Sequence, residues 1–375
     1  IHSRISWPCF KFGLEPPGFN GSPADCYRYA RDKVGLDFAA VTDHDTSHRP
    51  DTLMAEKDWD EICETANQYN KVGSFVTFVA WEWSGNAGAG HYNVYYPEES
   101  GPLIRFKETD DPTILWYRLR ELGIEAITIP HHIARKDRPI DWNLYNSEFV
   151  PLVEITSSWG NYEYYGNPYE CDHTPSRGGC LVQDALARGY YLGFVGGSDN
   201  HTNRCGGDKN ILNYQKIKLP EKWKHLRHIK TNPLGGGMVA VYAEGLSRKA
   251  IYEALKQRNC YATTNARIKV DFRINGHFMG EEFTIKDLNS PRYIQVVAEG
   301  ETKLKEITII RNNDILRSFR INNQKKIVSF YDKDPVTDIG PIHINGIKKK
   351  LVFYYTRVIQ EDNRRAWTSP IRILF

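Results

Sequence analysis

Several short apolar runs in this chain end in an acid or a histidine. Leu192 to Val195 runs into Gly196-Gly197-Ser198-Asp199-Asn200-His201, and Phe38-Ala39-Ala40-Val41 into Thr42-Asp43-His44. Phe75 to Trp81 ends in Glu82, Ala126 to Ile129 in Pro130-His131-His132, and Leu152-Val153 in Glu154. In an extended segment, positions i and i+2 share a face, so Asp199 and His201 can grip one ion together. Adjacent His131 and His132 suit one ligand and one partner that orients it. Mixed His, Asp and Glu donors without cysteine suit Zn²⁺, Mn²⁺ or Fe²⁺ rather than a structural thiolate site. Several converging donors also suit two or three such ions sharing a bridging hydroxide, a nucleophile at neutral pH. Each residue alone has a plainer reading. A Gly-Gly-Ser-Asp-Asn-His stretch is often a polar turn, and His48, His225, His228 and His277 read as surface or satisfied polar groups.

The elements that must position these residues alternate. Pro23-Ala24-Asp25 opens a helix that Gly35 ends, and Leu36 to Val41 follows as a strand. Asp58 to Tyr69, Pro112 to Leu122 and Leu181 to Arg188 are further predicted helices, each ahead of a strand run. Repeated helix–strand alternation predicts a parallel sheet and favours a barrel, whose active site would lie in the loops after the strands. After Ile268 the pattern changes. Lys269–Ile274, Tyr293–Ala298, Glu306–Ile310, Lys326–Tyr331 and Leu351–Val358 are strand-like, with hairpin turns at Asn275-Gly276 and Asn345-Gly346, which predicts an antiparallel β-sandwich. Its bland role is to prop the first domain; its functional one is to bind a glycan or partner. Gly235-Gly236-Gly237 lacks the Lys-Ser/Thr of a phosphate loop and reads as a turn.

A chain of 375 residues suits about two domains. Its 41% hydrophobic and 25% charged residues are ordinary for a globular protein, and a net charge of +3 gives no reason to invoke nucleic acid or a membrane surface. No apolar run approaches the ~18 residues of a membrane span. Seven cysteines imply no complete disulfide framework; Cys171 and Cys180 flank a glycine-rich loop and could pair in an exported protein, and the plainer reading is buried or free thiols. A start at Ile1 rather than Met reads as a processed or trimmed product whose targeting peptide is absent, which leaves export to the periplasm or medium open.

The ordered set His2-Ser3, Thr42-Asp43-His44, Glu82, His91, His131-His132 and Gly197-Ser198-Asp199-Asn200-His201 resembles the polymerase and histidinol phosphatase (PHP) superfamily of metallohydrolases. It is closest to the DUF3604 branch, related to the CehA/McbA-type metallohydrolases. Pro23 to Arg31, Gly35 to Phe38, Arg258 to Ile268 and Trp367-Thr368-Ser369-Pro370 match that branch too, so the resemblance spans essentially the whole chain. It implies a distorted (β/α)7 barrel over residues 1–267, followed by the β-sandwich over 268–375. It also implies His2, His44, Glu82, His91, one or both of His131 and His132, Asp199 and His201 as metal ligands. Glu82 is expected to bridge two ions, and Asp43 to sit beside the metals or handle protons. Two departures bear on a third ion. The family's first histidine would precede Ile1, and Trp7 stands where many relatives carry an aspartate.

The function expected from these residues is a metal-dependent hydrolase, catalytic at Glu82 and Asp43, cleaving a phosphate ester. Arg4 or Arg267 would bind the anionic group, against a plainer role in structural ion pairs. The same chemistry also suits a carboxyl-ester, amide or carbamate hydrolase. A third reading is a non-catalytic metal-containing protein that recognises glycan. The substrate in each case is a small molecule, anionic or glycan-like, and Trp81-Trp83 and Trp159 to Tyr165 are candidates for lining an apolar or sugar pocket.

Overall fold

The structure, a computed structural model, describes residues 1–6, 21–45, 53–85, 88–169, 178–200, 204–206, 232–339, 342–344 and 347–375. His48, His201, His225, His228, Trp7, Cys171 and the Asn345-Gly346 turn lie outside these. The amino-terminal strands are β1 (Phe38–Ala40), β2 (Val76–Ser84), β3 (His91–Tyr96) and β4 (Ile127–His131), hydrogen-bonded in that order. A second sheet has the order β6-β5-β7, from β5 (Leu152–Ser157), β6 (Gly160–Asn161) and β7 (Gly193–Gly196).

The helices begin where the capping chemistry directs. Ser22 accepts from the Asp25 N–H while the Asp25 side chain accepts from the Ser22 N–H, and Pro23 fills the first turn of α1 (Pro23–Arg28). The chain continues as a π-helical turn, Tyr29–Val34, and Gly35 closes it at φ +68°, a left-handed conformation glycine adopts without a Cβ clash. α2 (Glu56–Tyr69) follows, then α3 (Phe106–Thr109), α4 (Pro112–Glu121) and α5 (Val182–Ala187). α6 (Arg248–Lys256) comes between β8 (Met238–Val241) and β9 (Cys260–Thr263). β2 is buried at every position because apolar layers cover both faces. Val79, Trp81 and Trp83 pack in a core with Cys26, Tyr27 and Ile62 of the first two helices, while Val76 and Phe78 pack with Ile251 and Leu255 of α6.

The expected (β/α)7 barrel is not formed, and the chain is instead β-rich, with its strands spread over several sheets. β1 and β2 are parallel, but β3 runs antiparallel to both β2 and β4. Only residues 85–90 link β2 to β3, far short of the dozen or so a parallel crossover needs, so the strand must turn straight back. Doubly covered strands read in sequence like barrel strands, which is why the apolar runs pointed the wrong way.

The carboxy-terminal strands are β10 (Lys269–Ile274), β11 (His277–Phe278), β12 (Glu282–Thr284), β13 (Arg292–Glu299), β14 (Leu304–Arg311), β15 (Asp314–Arg320) and β16 (Lys325–Asp332). β17 (Ile342–Ile344), β18 (Ile347–Lys349), β19 (Leu351–Gln360), β20 (Arg365–Thr368) and β21 (Ile371–Leu374) complete the chain. One sheet has the order β11-β10-β13-β16, and another β12-β21-β19-β20-β9-β8 with β14 and β15 beside β19. Phe272, Ile294 and Val296 of the first share a core with Ile307, Ile309 and Val358 of the second. Asn275 and Gly276 turn the β10–β11 hairpin with φ +52° and +88°, the pair of positive values a type I′ turn requires.

The division expected at 267/268 falls inside a continuous hydrogen-bonded sheet, since Ala262 of β9 pairs with Trp367 of β20. A buried carboxylate fastens the two parts further. Glu163, just after β6, accepts from the Tyr355 hydroxyl at 2.8 Å, Arg357 Nη1 at 2.9 and 3.0 Å and Trp367 Nε1 at 2.7 Å. No helix among the described residues is long and apolar enough to cross a membrane.

Candidate metal centre

The register of the first sheet builds the site. Ser84 of β2 pairs with His91 of β3, which pairs with His131 of β4, so three side chains line up in one row. His44 bridges to Glu82 just beyond the end of β1. Trp81 and Trp83, fully buried on the opposite face of β2, fix which way Glu82 points.

Glu82 is completely buried at the centre. Its Oε1 lies 2.9 Å from His44 Nδ1 and in still closer contact with His91 Nδ1. Its Oε2 lies 3.3 Å from His2 Nε2 and 3.2 Å from His131 Nε2. His2 Nε2 is also 3.2 Å from Asp199 Oδ1, and its ring stacks on His44 with centroids 4.4 Å apart. Glu82 thereby joins two groups of converging donor atoms, one with His2 and His44, the other with His91, His131 and His132.

The electrostatics follow from burial and from this one carboxylate. Burial alone would raise the Glu82 pKa, but the surrounding His44, His131 and His91 hold it well below the usual carboxylate range. Burial would likewise lower His131, yet Glu82 outweighs it and lifts that ring to about 9; His44 is raised for the same reason. His91 is pushed down to about 3 by burial, and His2 and His132 also fall well below normal through burial and neighbouring imidazoles. Glu154, which accepts from the His132 N–H at 3.0 Å, is driven up to about 7 by burial.

A divalent ion suits this donor set. Among the described residues, His131 Nδ1, His132 Nδ1 and Asp199 Oδ2 are buried without a hydrogen-bond partner, while Glu82 Oε2 and His131 Nε2 meet only in ion-pair contacts. Leaving such atoms unpaired costs about 1–3 kcal/mol each, which an ion would relieve. His132 and Asp199 also hold positive φ values of 36° and 41°, strain that the surrounding structure must impose. Glycines make this close approach possible. A Cβ at Gly197 would lie 2.7 Å from Glu154 Oε2, and one at Gly237 2.4 Å from the Thr156 carbonyl oxygen. Gly235-Gly236-Gly237 therefore packs the start of β8 against the end of β7.

Of the residues singled out from the sequence, His2, His44, Glu82, His91, His131, His132 and Asp199 are brought together here. His201 lies outside the described residues. Asp43 is buried but occupied elsewhere. It accepts from the Ser3 N–H and hydroxyl at 2.6 Å each and from the Ser6 N–H at 3.2 Å, which buckles down the segment carrying His2. Burial raises its pKa against the effect of those serine hydrogen bonds. Arg4 forms a two-oxygen ion pair with Glu61 at 2.7 Å, and Arg267 donates to the Val34 and Gly35 carbonyls at the end of the first helical segment. Trp81 and Trp83 are core residues rather than pocket wall. In the sequence Glu154 stands out only as the acid after Leu152-Val153, with no ligand role, and Asp45 and Arg138 have none; β5 runs on past Glu154 to Ser157. Asp45 accepts from the Ser84 and Phe106 N–H groups, and burial drives its pKa up to about 7.

The fold and site together define a β-rich protein with a buried histidine–carboxylate cluster that can hold a metal ion. The chain belongs to the family described as "Protein of unknown function (DUF3604)", whose model matches residues 37–134 and 174–306. It is similar to an uncharacterized protein of Chlamydia pneumoniae, 28% identical over 356 residues that make up 92% of this chain and 53% of that protein. A second such relative, from Chlamydia trachomatis serovar D, is 29% identical over 385 residues, 99% of this chain and 58% of the relative. The chain thus spans little more than half the length of these relatives. Among solved structures, the fibronectin(III)-like modules of Clostridium thermocellum CbhA cover 28% of this chain and 92% of their own. The identity is 12% and the TM-score 0.18.

Proposed function

We propose that the protein is a metal-dependent hydrolase of the PHP kind, acting on a phosphate ester at the Glu82 cluster. The observation that carries this reading is the arrangement around Glu82, which has two imidazoles on each carboxylate oxygen and unpartnered buried donor atoms beside it. That arrangement suits a carboxylate bridging two divalent ions. Ions bound there would supply Lewis acidity and a nucleophile at neutral pH. Glu82 stays ionised, because three imidazoles hold its pKa down, and so keeps the donor atoms converged. His2, gripped between Asp199 and Glu82 with its Nδ1 against the Ser6 hydroxyl, holds one end of the cluster. Glu154, with a pKa near 7, can hold or release a proton beside His132. The order of the motifs, from His2-Ser3 through Thr42-Asp43-His44 to Gly197-Ser198-Asp199, supports the PHP relation.

The test is hydrolysis of a panel of phosphomonoesters, phosphodiesters and carboxyl esters by protein reconstituted with Zn²⁺, Mn²⁺ or Fe²⁺. Phosphoester turnover that a chelator removes and metal restores is the expected result. Metal-loaded, folded protein that turns over no ester in the panel would overturn the reading.

A further inference from the structure

The segment after β4 folds back over the cluster. The Arg135 N–H donates to the His132 carbonyl, the Arg138 N–H to the Arg135 carbonyl, and the Ile140 N–H to the Ile133 carbonyl, at 3.0 to 3.1 Å. Gly90 makes room for this return, since a Cβ there would lie 3.3 Å from Ile140 Cα. The fold-back carries Arg138 onto His91, where its Nη1 donates to His91 Nε2 at 2.8 Å. The Arg138 side chain is only 14% exposed, and its acidic neighbour Asp137 is a poor partner. Asp137 is half-exposed, 3.4 Å from Arg138 Nε, and shared with Arg135 at 2.8 Å, so it neutralises little of the guanidinium charge.

The contact with His91 can exist only while His91 Nε2 keeps its lone pair. A neutral imidazole has one N–H and one lone pair. Here His91 Nδ1 faces Glu82 Oε1 and Nε2 accepts from Arg138. With an ion held at Nε2 that lone pair would be taken directly, and with one held at Nδ1 the ring proton would sit on Nε2, a donor facing a donor. In both cases the Arg138 hydrogen bond would be lost and a partly dry guanidinium left at the edge of the cluster. We propose that Arg138 is the receptor for the phosphoryl oxyanion of the substrate, handed over from His91 when the cluster takes up its ions. This rests on the metallohydrolase reading and deepens it. The planar fork of an arginine matches two phosphoryl oxygens at once, which neither Arg4 nor Arg267 can offer while pinned to Glu61 and to helix-end carbonyls.

The experiment is calorimetric titration of the whole chain, first with Mn²⁺ or Zn²⁺ and then with inorganic phosphate, for the wild type, Arg138→Gln and Arg138→Lys. The expected result is unchanged or tighter metal uptake in both variants. Phosphate binding to the loaded protein should weaken about tenfold to a hundredfold in Arg138→Gln and less in Arg138→Lys. Equal phosphate affinity in wild type and Arg138→Gln, or no phosphate binding to loaded wild type, would overturn the assignment. Acetate binding in place of phosphate with the same dependence on Arg138 would overturn the phosphoryl identity of the anion. Failure to take up metal would instead sink the reading beneath it, so the two failures are told apart in one titration.

Discussion

Replacing Glu82 by glutamine removes one charge from the centre of the cluster and almost nothing from its shape. In the metal-free protein that charge holds His131 at about 9, against 6.5 for an ordinary imidazole. At about 1.4 kcal/mol per tenfold in proton affinity, the interval corresponds to about 3 kcal/mol in favour of the charged ring. A histidine raised on folding contributes fully below its unfolded pKa and loses that contribution as the pH rises through its folded one. The window is therefore pH 6.5 to about 9. Urea denaturation of chelator-treated wild type should show stability falling across this window, by about 3 kcal/mol from His131 and further from His44, which the same carboxylate raises. Glu82→Gln should lack most of that fall, because burial and the other imidazoles then keep His131 neutral. Glu82→Gln should also remain folded by circular dichroism at neutral pH and hydrolyse no ester. Equal pH dependence in wild type and variant would refute the idea that Glu82 organises these rings.

Two further predictions concern the junction with the carboxy-terminal sheet. Glu163→Gln leaves the Arg357 guanidinium, only 9% exposed, without its countercharge, and should cost about 3 kcal/mol or more in urea denaturation; a change under 0.5 kcal/mol would deny the junction its role. A chain cut after residue 267 keeps every described cluster ligand but strips β20 from β9 and exposes their shared core. It should aggregate or lose cooperative unfolding, and a soluble, cooperatively folded fragment would contradict this.

Local signals in the sequence were largely legible. Pro23-Ala24-Asp25 marked the start of α1 and Pro112 that of α4, and the strand runs after Ile268 fall within β10, β13, β14, β16 and β19. Most residues of the described cluster could be picked out too, because acids and histidines within or beside apolar runs are costly to bury without a task. The architecture was not. Strand direction depends on linker length and on which layers cover each face, and His91 stands at the start of an antiparallel strand rather than at the end of a parallel one. Arg138 was hidden for a related reason, since only the fold-back of residues 133–140 brings it to His91. Conversely, Asp43 sits in the sequence beside His44 but spends both oxygens on Ser3 and Ser6.

Whether Glu82 joins two groups of donors into one metal centre is decided by elemental analysis of purified protein after metal loading and desalting. The wild type should hold about two divalent ions per chain. His2→Ala should lose one of them, His132→Ala the other, and Glu82→Gln both. No ion in folded wild type, or full occupancy in Glu82→Gln, would contradict it.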